Sequence, residues 1–468
     1  MNLKSHLNHQ LFETVSTVSK ANHFSSFVIG GFVRDIILDR PSKDVDIVVL
    51  GDGLLLAEKV AEALGVKKVA FYKNFGTAAF KYDDIEVEFV GARKESYNED
   101  SRNPIVEKGT LKEDQDRRDF TINALAISLN ASSFGEVIDP FNGLEDISKK
   151  IIKTPLTPNI TFSDDPLRML RAIRFATQLN FKIDLEAKHA LQENAGRLKI
   201  ISTERIVDEL NKIIMSPVPS KGFKLLFDSG LLKEFFPEMV DLYGVETIDG
   251  KSHKDNFYHT LEVLDNISMN TNDLWLRWAA IMHDIAKPRT KRFNPKVGFT
   301  FHGHEDVGAR MVAGIFKKLK LPLDNKMKYV QKLVRLHLRP IALVKGNVTD
   351  SAIRRLLFEA GNDIEDLMTL CNADITSKNE FKVQKYKNNF QKVRKKLKEV
   401  EEKDHVRNFQ PPITGQEIIK TFNLEPCKLV GELKSEIKEA ILDGKIKNNY
   451  QEAYTFLIEI GKDHGLRI

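Results

Sequence analysis

Asp44 and Asp46 flank Val45 at the head of the apolar run VDIVVL, ten residues after Arg34 of the turn Gly30-Gly31-Phe-Val-Arg34. In a strand, alternate side chains share a face, so the two carboxylates project together ~6 to 7 Å apart along the chain. Such a pair repels itself and weakens a strand unless positive charge sits between its members. One or two Mg²⁺ ions fit, since two-metal phosphoryl transfer uses ions ~3.5 to 4 Å apart. The Gly-Gly turn lets backbone approach phosphates, the helix N-terminus after it favours anions, and Arg34 can contact a triphosphate oxygen. A further strand, Ile85 to Val90, puts Glu86 and Glu88 on one face. Either can be the third acid near the metals, with Glu86 slightly preferred.

Residues 117 to 128, RRDFTINALAIS, begin with two arginines and turn apolar. They predict a helix starting near Asp119 and packing along Ile122, Leu125 and Ala126. Asp119 is either an N-terminal helix charge or, with Arg118 beside it, part of the nucleotide-binding site. In DPLRMLRAIRFATQL, Asp165, Arg168, Arg171 and Arg174 fall at i, i+3, i+6 and i+9, beside an apolar stripe of Leu167, Leu170 and Ile173. A carboxylate followed by three aligned arginines suits a base edge and phosphates better than solvent.

A second constellation comprises His259, His283-Asp284 and Asp374, with His302, His304 and His337 nearby in sequence. WAAIMHDIAKP is apolar up to the His-Asp pair, a setting in which neutral imidazole and carboxylate bind a divalent metal.

These groups need elements to hold them. Residues 1 to 20 predict a helix with Leu3, Leu7, Leu11 and Val15 on one stripe. Short strands alternate with helices up to about residue 90, which describes a small α/β or α+β unit. Residues 92 to 114 are polar and aperiodic, and predict a mobile loop. After DPFNGLEDI the pattern is almost wholly helical. Four regions follow: a head over 1–150, a helical neck over 151–245, a His-rich helical domain over 246–380 and a basic helical tail over 381–468. The tail opens with eight Lys/Arg and no acid between 382 and 398, either a solvated helix face or a phosphate contact.

The chain of 468 residues is too long for one core. Its 42% hydrophobic and 29% charged residues are ordinary for a soluble protein, and no apolar run approaches the ~20 residues of a membrane span. The opening residues lack a secretory signal, so the cytoplasm is the expected location. Two cysteines, Cys371 and Cys427, exclude a disulfide framework or a cysteine-based zinc ribbon. A net charge of +5 is compatible with a polyanionic partner without demanding one.

GGFVRD…DVDIVV, RRDFTINALA, DPFNG, DPLRMLRAIRFATQLNF and STERIVDEL, in that order, resemble the bacterial-type (class II) tRNA nucleotidyltransferase and poly(A) polymerase family. The resemblance covers residues ~25 to 240 and implies an α+β fold: a polymerase-β-like head, then an all-helical neck. It implies that Gly31 and Arg34 bind the triphosphate, that Asp44 and Asp46 bind Mg²⁺, and that Arg118 binds the nucleotide. Asp165, Arg168, Arg171 and Arg174 would serve the nucleotide pocket. Asp164 departs from the Glu often found there, and keeps the acid. His259, His283, Asp284 and Asp374 match the H…HD…D pattern of the HD superfamily of metal-dependent phosphohydrolases, which implies a second divalent metal.

The expected activity is template-independent addition of CMP and AMP from CTP and ATP to the 3′ end of tRNA, with neither DNA nor membrane as partner. A poly(A) polymerase, or an enzyme adding only CC or only A, is the alternative of the same class. An RNA-binding HD phosphohydrolase with an inactive head is the alternative of another class.

Overall fold

The computed structural model describes the whole chain except residues 73–75, 99–100, 346–348, 377–379, 405–406, 408 and 468, together with some side chains inside the elements next to those gaps. Two compact units divide it, Met1–Pro237 and Glu238–Ile468.

The first unit is built on a seven-stranded sheet, with order β3-β4-β5-β2-β1-β8-β9. Its strands are β1 (Ser25–Ile29), β2 (Asp44–Leu50), β3 (Ala70–Tyr72), β4 (Thr77–Tyr82), β5 (Ile85–Gly91), β8 (Ala126–Ser128) and β9 (Val137–Ile138). β2 and β5 run parallel, and every other neighbouring pair is antiparallel. Val45, Ile47, Val48 and Val49 are buried, so β2 is apolar on both faces beyond its start, whereas β5 alternates buried Val87 and Phe89 with the exposed Glu86 and Glu88.

Three expectations are corrected here. Residues 92 to 114 are not a loop. They form a two-stranded ribbon, β6 (Arg93–Asn98) with β7 (Ser101–Lys108), followed by a helix, Leu111–Asp116. A ribbon joined to no larger sheet needs no apolar face, so its polar sequence carries no period-two signal. The helix expected from Asp119 is instead one turn, Thr121–Asn123, leading into β8. A short buried apolar run reads equally well as strand or helix, and pairing with β1 makes it strand. At the N-terminus, Leu3, Leu7, Leu11 and Val15 are all buried, but the helix is Gln10–Ala21, begun by the His9 side chain accepting the Leu11 N–H.

The neck folds with the head in the first unit. Helix Leu167–Leu179 buries Met169, Leu170 and Ile173 and packs on helix Thr203–Ile214. Among its described residues, the second unit is helical apart from two short hairpins. Helices Asn256–Ser268, Leu274–Met282, His304–Lys318, Asn325–Leu336 and Ile364–Ala373 surround one another over a core containing Trp278, Phe257 and Phe316. The basic run at 382 to 398 lies on helix Glu380–Asp404, where Lys396 pairs with Asp350 and Arg394 with Glu365. Part of that charge is therefore spent inside the protein.

Candidate active site

β2 is set so that Asp44 lies opposite Glu86, and Asp46 opposite Glu88, on β5. Asp46 is the enclosed member of the acidic pair. Burial pushes its carboxyl up, Arg118 opposes that, and Asp44 and Asp114 push the same way as burial. Burial and then the Asp46 charge also raise Glu88, with Arg93 opposing. Glu88, rather than the preferred Glu86, is thus the glutamate electrically joined to Asp46.

Gly30 passes close by. Its φ is +84°, and a Cβ there would stand 3.2 Å from Arg118 Nη1 and 3.3 Å from Asp46 Oδ2. Any side chain would fill the space between cation and carboxylate, so glycine is required both for the left-handed backbone and for the opening. Acids that repel one another in a partly enclosed cradle suit a divalent cation.

Arg118 is aimed by an acid that sequence reading missed. Asp114 is fully buried and pairs with Arg117 at 2.6 Å and with Arg118 at 3.1 Å. Its helix opens with a capping box between Thr110 and Glu113, a signal present in the sequence. Arg34 is likewise held: Nε and Nη2 donate to Asp35 at 2.9 Å, and Nη1 donates to Asn123 Oδ1 at 2.7 Å. Gly31 opens the Arg34 helix.

The arginine stripe divides. Arg168 Nη2 donates to the Arg117 carbonyl at 2.7 Å, which holds it beside the Arg117–Arg118 corner, and Asp165 Oδ1 accepts the Leu167 N–H at 3.1 Å at the start of the same helix. Arg171 reaches Asp119 at 2.6 Å. Arg174 pairs with the buried Glu209 at 3.1 Å and lies 4.1 Å from the centre of the Phe175 ring. Arg171 and Arg34 also face that ring, at 5.5 and 4.9 Å. Arg171 and Arg174 are each tied to a buried acid, whereas Arg168 is held by a backbone carbonyl and Asp165 by a backbone N–H.

In the second unit, the four residues expected from sequence converge. His259 Nε2 lies 2.9 Å from Asp374 and 3.5 Å from Asp284, and His283 Nε2 lies 3.2 Å from Asp284. His304 and His337, noted only as neighbours in sequence, complete the cluster: His304 Nε2 is 3.3 Å from Asp284 Oδ1 and 3.3 Å from His337 Nε2. Two groups of ligand atoms therefore form, His259–His283–Asp284 and Asp284–His304–His337, with Asp284 common to both. Among the described residues, these are the sets of three that come within 4.8 Å of one another.

The donor set fits divalent metal. Nδ1 of His283, His304 and His337 lies 2.7, 2.7 and 2.6 Å from the carbonyls of Ala280, Phe301 and Val334, each three residues upstream. A carbonyl only accepts, so Nδ1 carries the proton and Nε2 is aimed inward. His283 Nε2 and Asp284 Oδ2 are buried and make no well-aligned hydrogen bond, although Lys287 Nζ stands 2.6 Å from that oxygen. Burial opposes a charge on His283, yet Asp284 and Asp374 raise it to about 10, while burial and then His283 lower His337 to about 4. Two buried carboxylates draw positive charge to this point.

Comparison with known proteins agrees with this geometry. Residues 26–153 match the Poly A polymerase head domain, residues 180–242 a probable RNA and SrmB-binding site of polymerase A, and residues 256–378 the HD domain. An A-adding tRNA nucleotidyltransferase of Deinococcus radiodurans is 30% identical over 445 residues, 92% of this chain and 94% of that protein. A multifunctional CCA protein of Nitrosococcus oceani is 32% identical over 370 residues, 74% of this chain and 84% of that protein. A solved tRNA nucleotidyltransferase, complexed with a primer tRNA and an incoming ATP analogue, is 25% identical with a TM-score of 0.56, covering 81% of this chain and 98% of its own. The chain belongs to the tRNA nucleotidyltransferase and poly(A) polymerase family, with an HD domain in its second half.

Proposed function

We propose that this enzyme extends the 3′ end of tRNA by transferring CMP and then AMP from CTP and ATP, releasing pyrophosphate. The observation that carries the reading is the cradle in which Asp46 faces Arg118 across Gly30, with Glu88 opposite on β5. Mg²⁺ held by Asp44 and Asp46 would supply Lewis acidity at the α-phosphate and activate the attacking 3′ hydroxyl. Arg118, aimed by Asp114, would take a phosphate or ribose oxygen of the nucleotide. Arg34, fixed by Asp35 and Asn123, would face the triphosphate across the Gly30-Gly31 turn. Asp165 would accept the amino group that cytosine and adenine share, while Arg168 donates to the ring nitrogen beside it.

A second reading, addition of the terminal A alone, is favoured by the name of the Deinococcus relative that matches almost the full chain. Purified enzyme is given tRNA ending before CCA, and tRNA ending in CC, with one labelled nucleotide at a time, and products are sized. C incorporation followed by A supports the first reading. A incorporation on the CC end alone selects the second, and a long A tail contradicts both.

For the HD cluster we propose two divalent metals sharing Asp284, in a site that hydrolyses phosphate esters. A metal there would lower the pKa of a bound water. Lys287, 2.6 Å from Asp284, would meet a phosphate oxygen.

A further inference from the structure

The second unit contains a cleft of about 520 Å³ to which no role has yet been given. Helix Asn325–Leu336 forms one wall and places Lys328, Lys332 and Arg335 on one face at i, i+4 and i+7. Helix Asp350–Ala360 brings Phe358 and Arg355, and helix Lys428–Asp443 brings Lys438. Leu336 and Leu442, each 2% exposed, give it an apolar floor.

The cations are not equally committed. Arg355 is held by Glu439 and Asp443, and Lys332 by Asp363. Arg335 has only a 3.6 Å approach to Asp306, with both side chains 59% exposed. Lys328 is exposed, and among the described residues its side chain has neither an ion pair nor a hydrogen bond. The Phe358 ring packs on Phe409, its centre 5.7 Å from Lys438 Nζ, and is half-buried at the cleft. The wall acids Glu359 and Glu439 are taken by Arg339 and by Arg355 and Lys438, so Lys328, the loosely paired Arg335, an aromatic ring and an apolar floor remain as the complement of a nucleotide: phosphates on Lys328 and Arg335, base against Phe358.

We propose that this cleft binds a nucleoside polyphosphate, separately from the nucleotide that reacts in the head. Its shape suits a small ligand better than an RNA backbone, because phosphates of a polynucleotide follow a stripe along a surface, whereas here three helices gather the cations around a half-open cleft. The helix supplying Lys328 and Arg335 runs directly into His337 of the HD cluster. Occupancy of the cleft therefore bears on the same element that presents a metal ligand.

The test is equilibrium dialysis of the full chain with labelled ATP, for wild type and for K328S/R335S. Both replaced side chains are exposed and leave the head and HD residues untouched. The proposal expects the variant to lose one equivalent of ATP per chain, or to weaken that equivalent by roughly 10-fold or more. It expects inorganic triphosphate to compete only partly, since the base also contributes. This readout is a difference between two proteins, so it stands whether or not the head binds ATP. Identical binding isotherms overturn the proposal. So does a variant that keeps all its ATP but loses affinity for tRNA, because the cleft is then an RNA-backbone surface.

Discussion

Asp119 and Arg171 are joined by two contacts to one carboxylate oxygen: Nη2 stands 2.6 Å from Oδ2, and Nε donates to it at 2.8 Å. The other oxygen accepts from Asn123 at 3.0 Å and from the Phe120 N–H at 2.8 Å. Asn123 in turn accepts from Arg34. A continuous polar chain thus ties the arginine after the Gly-Gly turn to the neck helix that carries Arg168 and follows directly on Asp165. Groups from two parts of the sequence, Arg34 and the helix of Arg168, are thereby held in one frame.

Burial opposes ionisation of Asp119, but Arg171, Asn123 and Arg168 outweigh it and lower the carboxyl from 3.8 to about 2. A depressed acid contributes stability above its unfolded pKa and loses it as pH falls through the folded value. The contribution here is about 2 kcal/mol, present above pH ~4 and lost toward pH ~2. Urea midpoints measured between pH 5 and pH 3 should therefore fall less steeply for D119N than for wild type. R171A, which strands a buried carboxylate, should cost about 3 to 5 kcal/mol at neutral pH. Equal slopes for D119N and wild type would show that the pair does not report on folding.

Glu88 pairs in register with Asp46, and Glu86 with Asp44 at the exposed start of β2. E88Q should lower nucleotide incorporation by at least ~10-fold, with E86Q within ~3-fold of wild type. Single-turnover assays with saturating tRNA decide this. A larger loss in E86Q would return the third acid to that position.

In the HD cluster, Asp284 belongs to both ligand sets, whereas His304 belongs to one. Metal analysis after loading with Mn²⁺ should show that H304A loses about half the bound metal and D284A nearly all of it. Nucleotide transfer by H304A should match wild type. Equal metal loss in the two variants would mean a single site.

Much of this was legible in the residues. The Gly30-Gly31 turn, Asp-x-Asp at a strand start and the His-Asp pair each carry their chemistry in local spacing, and β2, β4 and β5 appear as apolar or alternating runs. What stayed hidden depends on contacts distant in sequence. Glu88 was separated from Glu86 only by the β2–β5 register, and Asp114 became a partner of Arg118 only through burial. His304 and His337 lie at the two ends of helices whose packing alone unites them. Arg171 and Arg174 share a stripe with Arg168, yet Asp119 and Glu209 claim them, a distinction that helical period cannot make.

Arg168 is held by the Arg117 carbonyl, and Asp165 by the Leu167 N–H just ahead of it. D165A should therefore lower use of the correct nucleotides and narrow their advantage over UTP and GTP by roughly 5- to 150-fold, the value of ~1 to 3 kcal/mol per unpaired buried group. R168K should not restore wild-type selectivity, because lysine lacks the planar fork. Unchanged selectivity in folded D165A would remove this residue from base recognition.

The central claim is that Asp46, in the cradle with Gly30 and Arg118, carries nucleotidyl transfer to tRNA. The direct measurement is single-turnover incorporation of labelled AMP into tRNA ending in CC by wild type and by D46A, with tRNA binding measured in parallel. The account predicts a loss of at least ~10³-fold in rate, with tRNA affinity within ~3-fold of wild type. Incorporation by D46A near the wild-type rate would contradict it and place the chemistry elsewhere in the chain.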